Sequence, residues 1–281
     1  MEPKEVSQDE TQQLKLSRDN TVFQANKLVR CPKDDLTVLE AKLIRLVISQ
    51  IVKRDTEFMT YTCAAVDLAN FWGIATDDVY REFKQIGDSL LKKVIYMEKE
   101  NGKGYNHFQW VSRISYDNGV ITVKLNSELK PYLIGLDKLF TAYGYEVIMT
   151  FNTNRVIMLY ELLSSYQNLS LRNRPMNDSN SMYVPDFIKL DSDEYIFTME
   201  FLRKYFRCED KYKITGDFLR RVIQDPLTVI NKNTTMNASF RTVRKGRKIG
   251  YVIFRLPTHQ ATDSEFYRQT KAKLVAMGYG D

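Results

Sequence analysis

Leu36, Leu39, Leu43, Leu46 (or Val47) and Ile51 recur at helical steps through LTVLEAKLIRLVISQIV, which predicts a helix buried along one face. Thr37 and Glu40 stand near its start, where a helix opens. TCAAVDLANFWGI reads as a second, shorter apolar helix that stops at Gly73. TDDVYREFKQIGDSLLKKVIYME opens a third, with Thr76 as its N-cap and Asp77 and Asp78 in the first turn. Val79, Phe83, Ile86 and Leu90 line one face of that helix, and Tyr80, Arg81, Lys84, Gln85 and Asp88 lie elsewhere on its surface. After Lys93 the helical period gives way to alternation. VIYMEKE, HFQWVSRISY and GVITVKL read as strands, joined by NGKG (Asn101–Gly104) and by DNG (Asp117–Gly119), a strong hairpin signal. Three helices followed by a hairpin is the order of a winged helix-turn-helix.

The same order then repeats. NTNRVIMLYELLSSYQNL predicts a long helix with Val156, Leu159 (with Tyr160), Leu163 and Tyr166 as its buried stripe. Residues 168–194, rich in Asn, Ser, Asp and Pro, read as a long loop. A strand YIFTM, a helix EFLRKYFRC, a turn EDKYKIT and a helix GDFLRRVIQ follow. MNASFRTVR, the tight turn KGRK and IGYVIFRL close the unit as a hairpin. The predicted fold class is therefore α+β, two tandem winged helix-turn-helix domains over residues 21–136 and 137–260. A flexible N-terminal lead of residues 1–20 precedes them, and a tail of residues 261–281 follows.

Charge adds a direction to this picture. The net charge is +6, but Met199–Arg255 carries 14 Lys and Arg against 5 Asp and Glu, which leaves the remainder acidic. Such asymmetry points to a localised surface for a polyanion. Cys31, Cys63 and Cys208 are far apart and form no C-x-x-C pair, so neither a disulfide framework nor a zinc site is expected. Reduced thiols, no apolar run approaching the ~18 residues of a membrane span, and a polar N-terminus predict a cytoplasmic protein off the membrane.

In a helix-turn-helix the second helix of the pair enters the major groove. In the second unit this helix and the turn before it offer Lys213, Thr215, Arg220 and Arg221. The hairpin adds Arg241 on its first strand, and Arg244, Lys245, Arg247 and Lys248 around one glycine at its tip, suited to phosphates or a minor groove. Pro226 fits the first turn of a renewed helix, where its missing N–H costs little. The first unit has weaker base-reading chemistry, because Arg81 and Lys84 are opposed by Asp77, Asp78 and Asp88. Lys99 and Lys103 in its wing are placed to touch the DNA backbone. Enzymatic readings find no support. Nicking would need a His-hydrophobe-His metal site, and the only histidines are His107 and His259. No H-x-x-R element precedes a nucleophilic tyrosine, and no G-x-x-x-x-G-K-[ST] loop is present. No cofactor and no metal are expected.

FLRRVIQDPLTVINKNT followed by KGRKIGYVIFRL resembles the C-terminal signature of the initiator replication proteins of iteron-containing bacterial plasmids. That family shows an R-V-I-x-P-A-x-x-E-I-N-like run, then a hairpin with G-R-K and an I-x-F strand. NRVIMLYELLSSY resembles its S-x-R-L-Y-E-L-L-x-x-Y helix, and NKLVRCPKDDLTVLEAKLIRLVISQI its N-terminal helix. The resemblance covers residues 26–256. It implies two winged-helix domains, binding of repeated origin sites on double-stranded DNA as a monomer, and repression of its own gene as a homodimer. By the same resemblance the first domain carries the dimer contacts, and host replication proteins (initiator, helicase) and chaperones are partners. QDPLTVIN departs from the pattern by one extra residue before the proline, and Leu227 and Thr228 replace the usual small and acidic residues. The loop of residues 168–194 is longer than the family's. A dedicated transcriptional repressor or a partition-type DNA-binding protein would share the same chemistry.

Overall fold

The structure, a computed structural model, describes residues 10–75, 79–99, 103–167 and 184–257. Thr76, Asp77 and Asp78, the turn residues Asn101 and Gly102, loop residues 168–183, His259 and the 261–281 tail lie outside the described residues. The fold is α+β, with two winged-helix domains in tandem.

In the first domain, α1 (Asn26–Arg30) leads to α2 (Val38–Ile48). The Thr37 hydroxyl accepts from the Glu40 N–H while the Glu40 carboxylate accepts from the Thr37 N–H, a reciprocal cap that fixes where α2 begins. α3 (Ala65–Trp72) ends at Gly73 in the left-handed region, and α4 (Val79–Leu90) buries Val79, Phe83, Ile86 and Leu90.

Two expectations change here. TCAAVDLANFWGI is not one helix, because its first three residues complete the strand β3 (Thr60–Ala64). Pairing of that stretch with neighbouring strands overrides the local helical pattern. HFQWVSRISY is not one strand. It divides at Trp110, wholly buried, into β5 (Tyr105–Gln109), which pairs with β4 (Val94–Glu98), and β6 (Val111–Asp117), which pairs with β7 (Val120–Leu125). The turn between β6 and β7 is the predicted one, with Asn118 and Gly119 both at positive φ.

The described part of the N-terminal lead, residues 10–20, is also revised, residues 1–9 lying outside the described residues. Its Thr11–Gln13 forms β1, parallel to β3 at the edge of the four-stranded order β1-β3-β7-β6, and Leu14 enters the core. β2 (Thr21–Ala25) pairs antiparallel with β8 (Phe140–Gly144), flanked by the short α5 (Lys130–Leu133) and α6 (Tyr145–Thr150). A boundary at residue 136 therefore separates two partner strands. Their pairing is non-local, so no pattern within either stretch announces it.

α7 (Asn154–Gln167) is buried nearly all round rather than along the expected stripe. It packs against α1, α2 and β8 of the first domain and against α10 (Asp225–Asn233) of the second. A helix enclosed on every side loses its amphipathic signature. The second domain continues with β9 (Glu194–Thr198), α8 (Met199–Tyr205), α9 (Thr215–Phe218), α10, β10 (Ser239–Lys245) and β11 (Lys248–Arg255). Its strands form an antiparallel sheet in the order β10-β11-β9. The end of the long loop covers one face of this sheet, where Ile188 packs with Ile196, Tyr251 and Ile253.

One continuous core runs through both domains. At its centre, Arg45 on α2 grips Glu161 on α7 with two hydrogen bonds, of 3.0 and 2.8 Å. Tyr143 and Gln24 donate to the same carboxylate. Tyr205 of α8 lies buried across the junction, its hydroxyl 3.0 Å from the Val29 carbonyl and 3.1 Å from that of Met158.

Candidate nucleic-acid interface

The second helix-turn-helix is held at its turn by a single arginine. Arg203 of α8 donates from Nη1 to the carbonyls of Cys208 (3.2 Å) and Lys211 (2.9 Å) and from Nη2 to that of Tyr212 (2.9 Å). Its guanidinium lies 4.6 Å from the centre of the Phe218 ring. Tyr212 is in the left-handed region at φ 51°, which reverses the chain into α9. The helix that follows seats Phe218, Val222, Ile223, Leu227 and Ile230 in the core. Lys213, Arg220 and Arg221 are exposed and Thr215 is half-buried, so the predicted base-reading residues share one helix and the turn before it. The Arg220 guanidinium lies 3.8 Å from a carboxylate oxygen of Asp217 and 3.8 Å from one of Asp225. Exposed pairs of this length are weak and leave the group available to an incoming ligand.

Between α9 and α10, Leu219–Gln224 forms a π turn. The Asp225 N–H donates to the Arg220 carbonyl, five residues back, and the helix runs on through Pro226 without a break. The expected interruption is instead a widening. A proline ring clashes with the carbonyl four residues before it in an α-helix, and a wide turn relieves that clash. A turn of this width can accommodate one additional residue, which is what the departure from the family pattern before the proline would need. Because Arg220 and Arg221 lie within it, the widening sets the direction in which they leave the helix.

At the wing, β10 and β11 meet in a two-residue turn of Gly246 and Arg247, with Gly246 at φ 65°. Arg244, Lys245, Arg247 and Lys248 are all exposed around it. A bulge follows, and Gly250 is required there: a Cβ at that position would lie 2.7 Å from the Lys245 Cβ.

Arg241 does not join this cluster. It donates from Nε and Nη2 to the two oxygens of Glu194 at 2.9 and 2.8 Å. These hydrogen bonds pull the Glu194 carboxyl down to about 2. Arg255, on the neighbouring strand, pairs with Asp191 and lies 3.6 Å from Asp193. Lys204 likewise pairs with Glu98 of the first domain, and Arg207 covers the Tyr96 ring at 4.3 Å with Asp34 at 3.7 Å. Part of the local basic excess thus holds the fold together. Sequence counting cannot pick out these paired residues, because their carboxylate partners lie elsewhere in the chain.

In the first domain, Arg81 and Lys84 are exposed on α4 with Asp88 beside them, and Lys99 and Lys103 are exposed where β4 turns to β5. The predicted residues other than the half-buried Thr215 therefore lie exposed on a helix region and a hairpin in each domain, and Arg241, though exposed, is paired with Glu194. Two residues here carried no motif in the sequence: Arg203, which fixes the turn, and Ile214, exposed at the start of the helix that follows it.

The profile of the initiator replication protein WH1 family matches residues 21–164, and that of the initiator Rep protein WH2 family matches residues 198–256. The chain belongs to the initiator replication protein family. The first match takes in α7 and most of its buried face, in agreement with the packing of that helix on α1, α2 and β8. Among solved structures, the crystal structure of the Pi initiator protein in complex with iteron DNA is similar at a TM-score of 0.60. The alignment is 17% identical and covers 87% of this chain and 99% of that one, a likeness of fold. Among the described residues, no helix of this initiator is long and apolar enough to cross a membrane.

Proposed function

We propose that this initiator binds double-stranded DNA in a sequence-specific manner, reading directly repeated origin sites of a plasmid as a monomer and repressing its own promoter as a homodimer. The observation that carries the reading is the second helix-turn-helix. It presents Lys213, Thr215, Arg220 and Arg221 on a helix and its preceding turn, the helix's opposite face being locked into the core, and the hairpin of the same domain is tipped with four exposed cations. The first domain positions the protein on the duplex through Arg81, Lys84, Lys99 and Lys103, and also supplies the dimer contacts. The host initiator and helicase act with it at the origin, and chaperones are further partners. No catalytic step is assigned to it. A dedicated repressor or partition protein is distinguished by one test. Replication of a plasmid carrying this gene and its repeats should fail when the gene is inactivated and return when it is supplied separately. Maintenance of the plasmid without the gene would overturn the initiator role.

Arg220→Ala or Arg221→Ala should each weaken binding to the cognate repeat by about 1–3 kcal/mol, with a much smaller loss on random duplex. Equal losses in titrations of the two DNAs would reduce these arginines to phosphate contacts. The wing acts through charge. Replacing Arg244, Lys245, Arg247 and Lys248 together should flatten the log–log salt dependence of binding by roughly 3–4, at about 0.9 per lost phosphate contact. An unchanged slope would place this hairpin off the DNA.

A further inference from the structure

Ile214 is the most exposed large apolar side chain among the described residues, at 69%. It sits at the N-cap of the helical run from Thr215 to Asn233, a position that favours Ser, Thr, Asn or Asp because their side chains accept a free helix N–H. Isoleucine offers no such acceptor, and none of its bulk is needed by the core. Capping therefore does not account for an isoleucine at this position. Its backbone is nevertheless fixed. The Ile214 carbonyl accepts from the Phe218 N–H at 3.2 Å, and Arg203 pins the turn two residues before it. Lys213 and Thr215 flank it, and Arg220 and Arg221 follow on the same helix.

We infer that Ile214 is a base-reading residue that packs against the 5-methyl group of a thymine in the major groove. The inference rests on the duplex-binding reading above. In a helix-turn-helix the N-terminal part of the recognition helix meets the base edges. Every hydrogen-bonding feature of those edges needs a polar partner, and the thymine methyl is the one apolar group they offer. A rigid, branched, apolar side chain between a cation and a hydroxyl suits that group. Contact on both sides is dry, so it contributes by removing apolar surface from water.

Selection of the preferred site from a random duplex pool, using the purified full chain, supplies the probe. Each thymine of the selected site is then replaced in turn by deoxyuridine, which removes only the methyl. One position should weaken wild-type binding about fourfold, the factor that about 0.8 kcal/mol per buried methyl group gives at 1.4 kcal/mol per tenfold. Ile214→Ala should bind the thymine and deoxyuridine forms of that position equally, and Ile214→Val should keep part of the difference. Ile214→Ala should weaken binding to random duplex much less than binding to the selected site, since the side chain touches no phosphate. Deoxyuridine sensitivity that is absent throughout, or that persists undiminished in Ile214→Ala, overturns the inference while leaving duplex recognition intact. A pool that yields no preferred site overturns the sequence-specific reading itself.

Discussion

Glu161→Ala should destabilise the protein by about 3–5 kcal/mol, a large part of the roughly 5–15 kcal/mol that holds a typical domain folded. Arg45 and Glu161 have no solvent-exposed side-chain surface, and removing the carboxylate strands a guanidinium in the core. Gln24 and Tyr143 lose their acceptor at the same time. Arg45→Ala should be comparably damaging. Replacing both together, Arg45→Met with Glu161→Leu, should recover part of the loss, because no guanidinium is stranded and the apolar side chains need no desolvation, while Lys33 still loses its counter-charge and Gln24 and Tyr143 their acceptor. Urea unfolding of the four proteins measures this directly. Equal destabilisation in the single and the double variants would show that packing, rather than pairing, governs the site.

Acid gives an independent check. Burial alone would raise the Glu161 carboxyl, but Arg45, the Lys33 charge and the Tyr143 hydroxyl outweigh it and hold it below its ordinary value. A carboxyl depressed in the folded state contributes stability that is fully present above its unfolded value, about 4.3, and lost as pH falls through the folded one. Wild-type stability should therefore decline below about pH 4 more steeply than that of the Met–Leu double variant. Parallel declines would remove Glu161 from the account of acid unfolding.

The legibility of this fold in its sequence followed the range of the interactions involved. The face of α4 and the turn at Asn118–Gly119 depend on neighbours a few residues away, and the pattern of apolar positions and turn residues announced both. The edge strand at Thr11–Gln13 and the pairing of β2 with β8 depend on partners far along the chain, and local pattern was silent about them. The buried Glu161 was hidden for the same reason: a single carboxylate in an apolar helix reads as surface until its arginine is found. At the candidate site, the basic helix and wing were legible as residue types at known element positions. The commitment of Arg241 to Glu194 was not, nor was the π turn, since a proline inside a helical pattern signals interruption as readily as widening.

Inserting five base pairs into the middle of one repeat should weaken binding of the monomer by roughly 10²–10⁴-fold, the advantage that two linked contacts hold over one. One continuous core joins the two domains. α7 is enclosed between them, and Tyr205 bonds to carbonyls on the far side of the junction. A flexible linker would let each domain follow its half-site around the helix, whereas this junction would have to break. If both recognition helices enter successive major grooves on one face, their sites lie about 10 base pairs apart, one helical turn. Five extra base pairs turn one site by about half a revolution, so only one domain can dock. The footprint should shrink to the half read by the second domain, which carries the stronger base-reading set, while ten extra base pairs should restore the face but not the distance. Because the first domain is proposed to carry the dimer contacts as well, a dimer should show weaker two-domain binding to a single repeat than the monomer does. If the five-base-pair insertion leaves affinity and footprint unchanged, the domains read DNA independently and the rigid junction has no part in recognition.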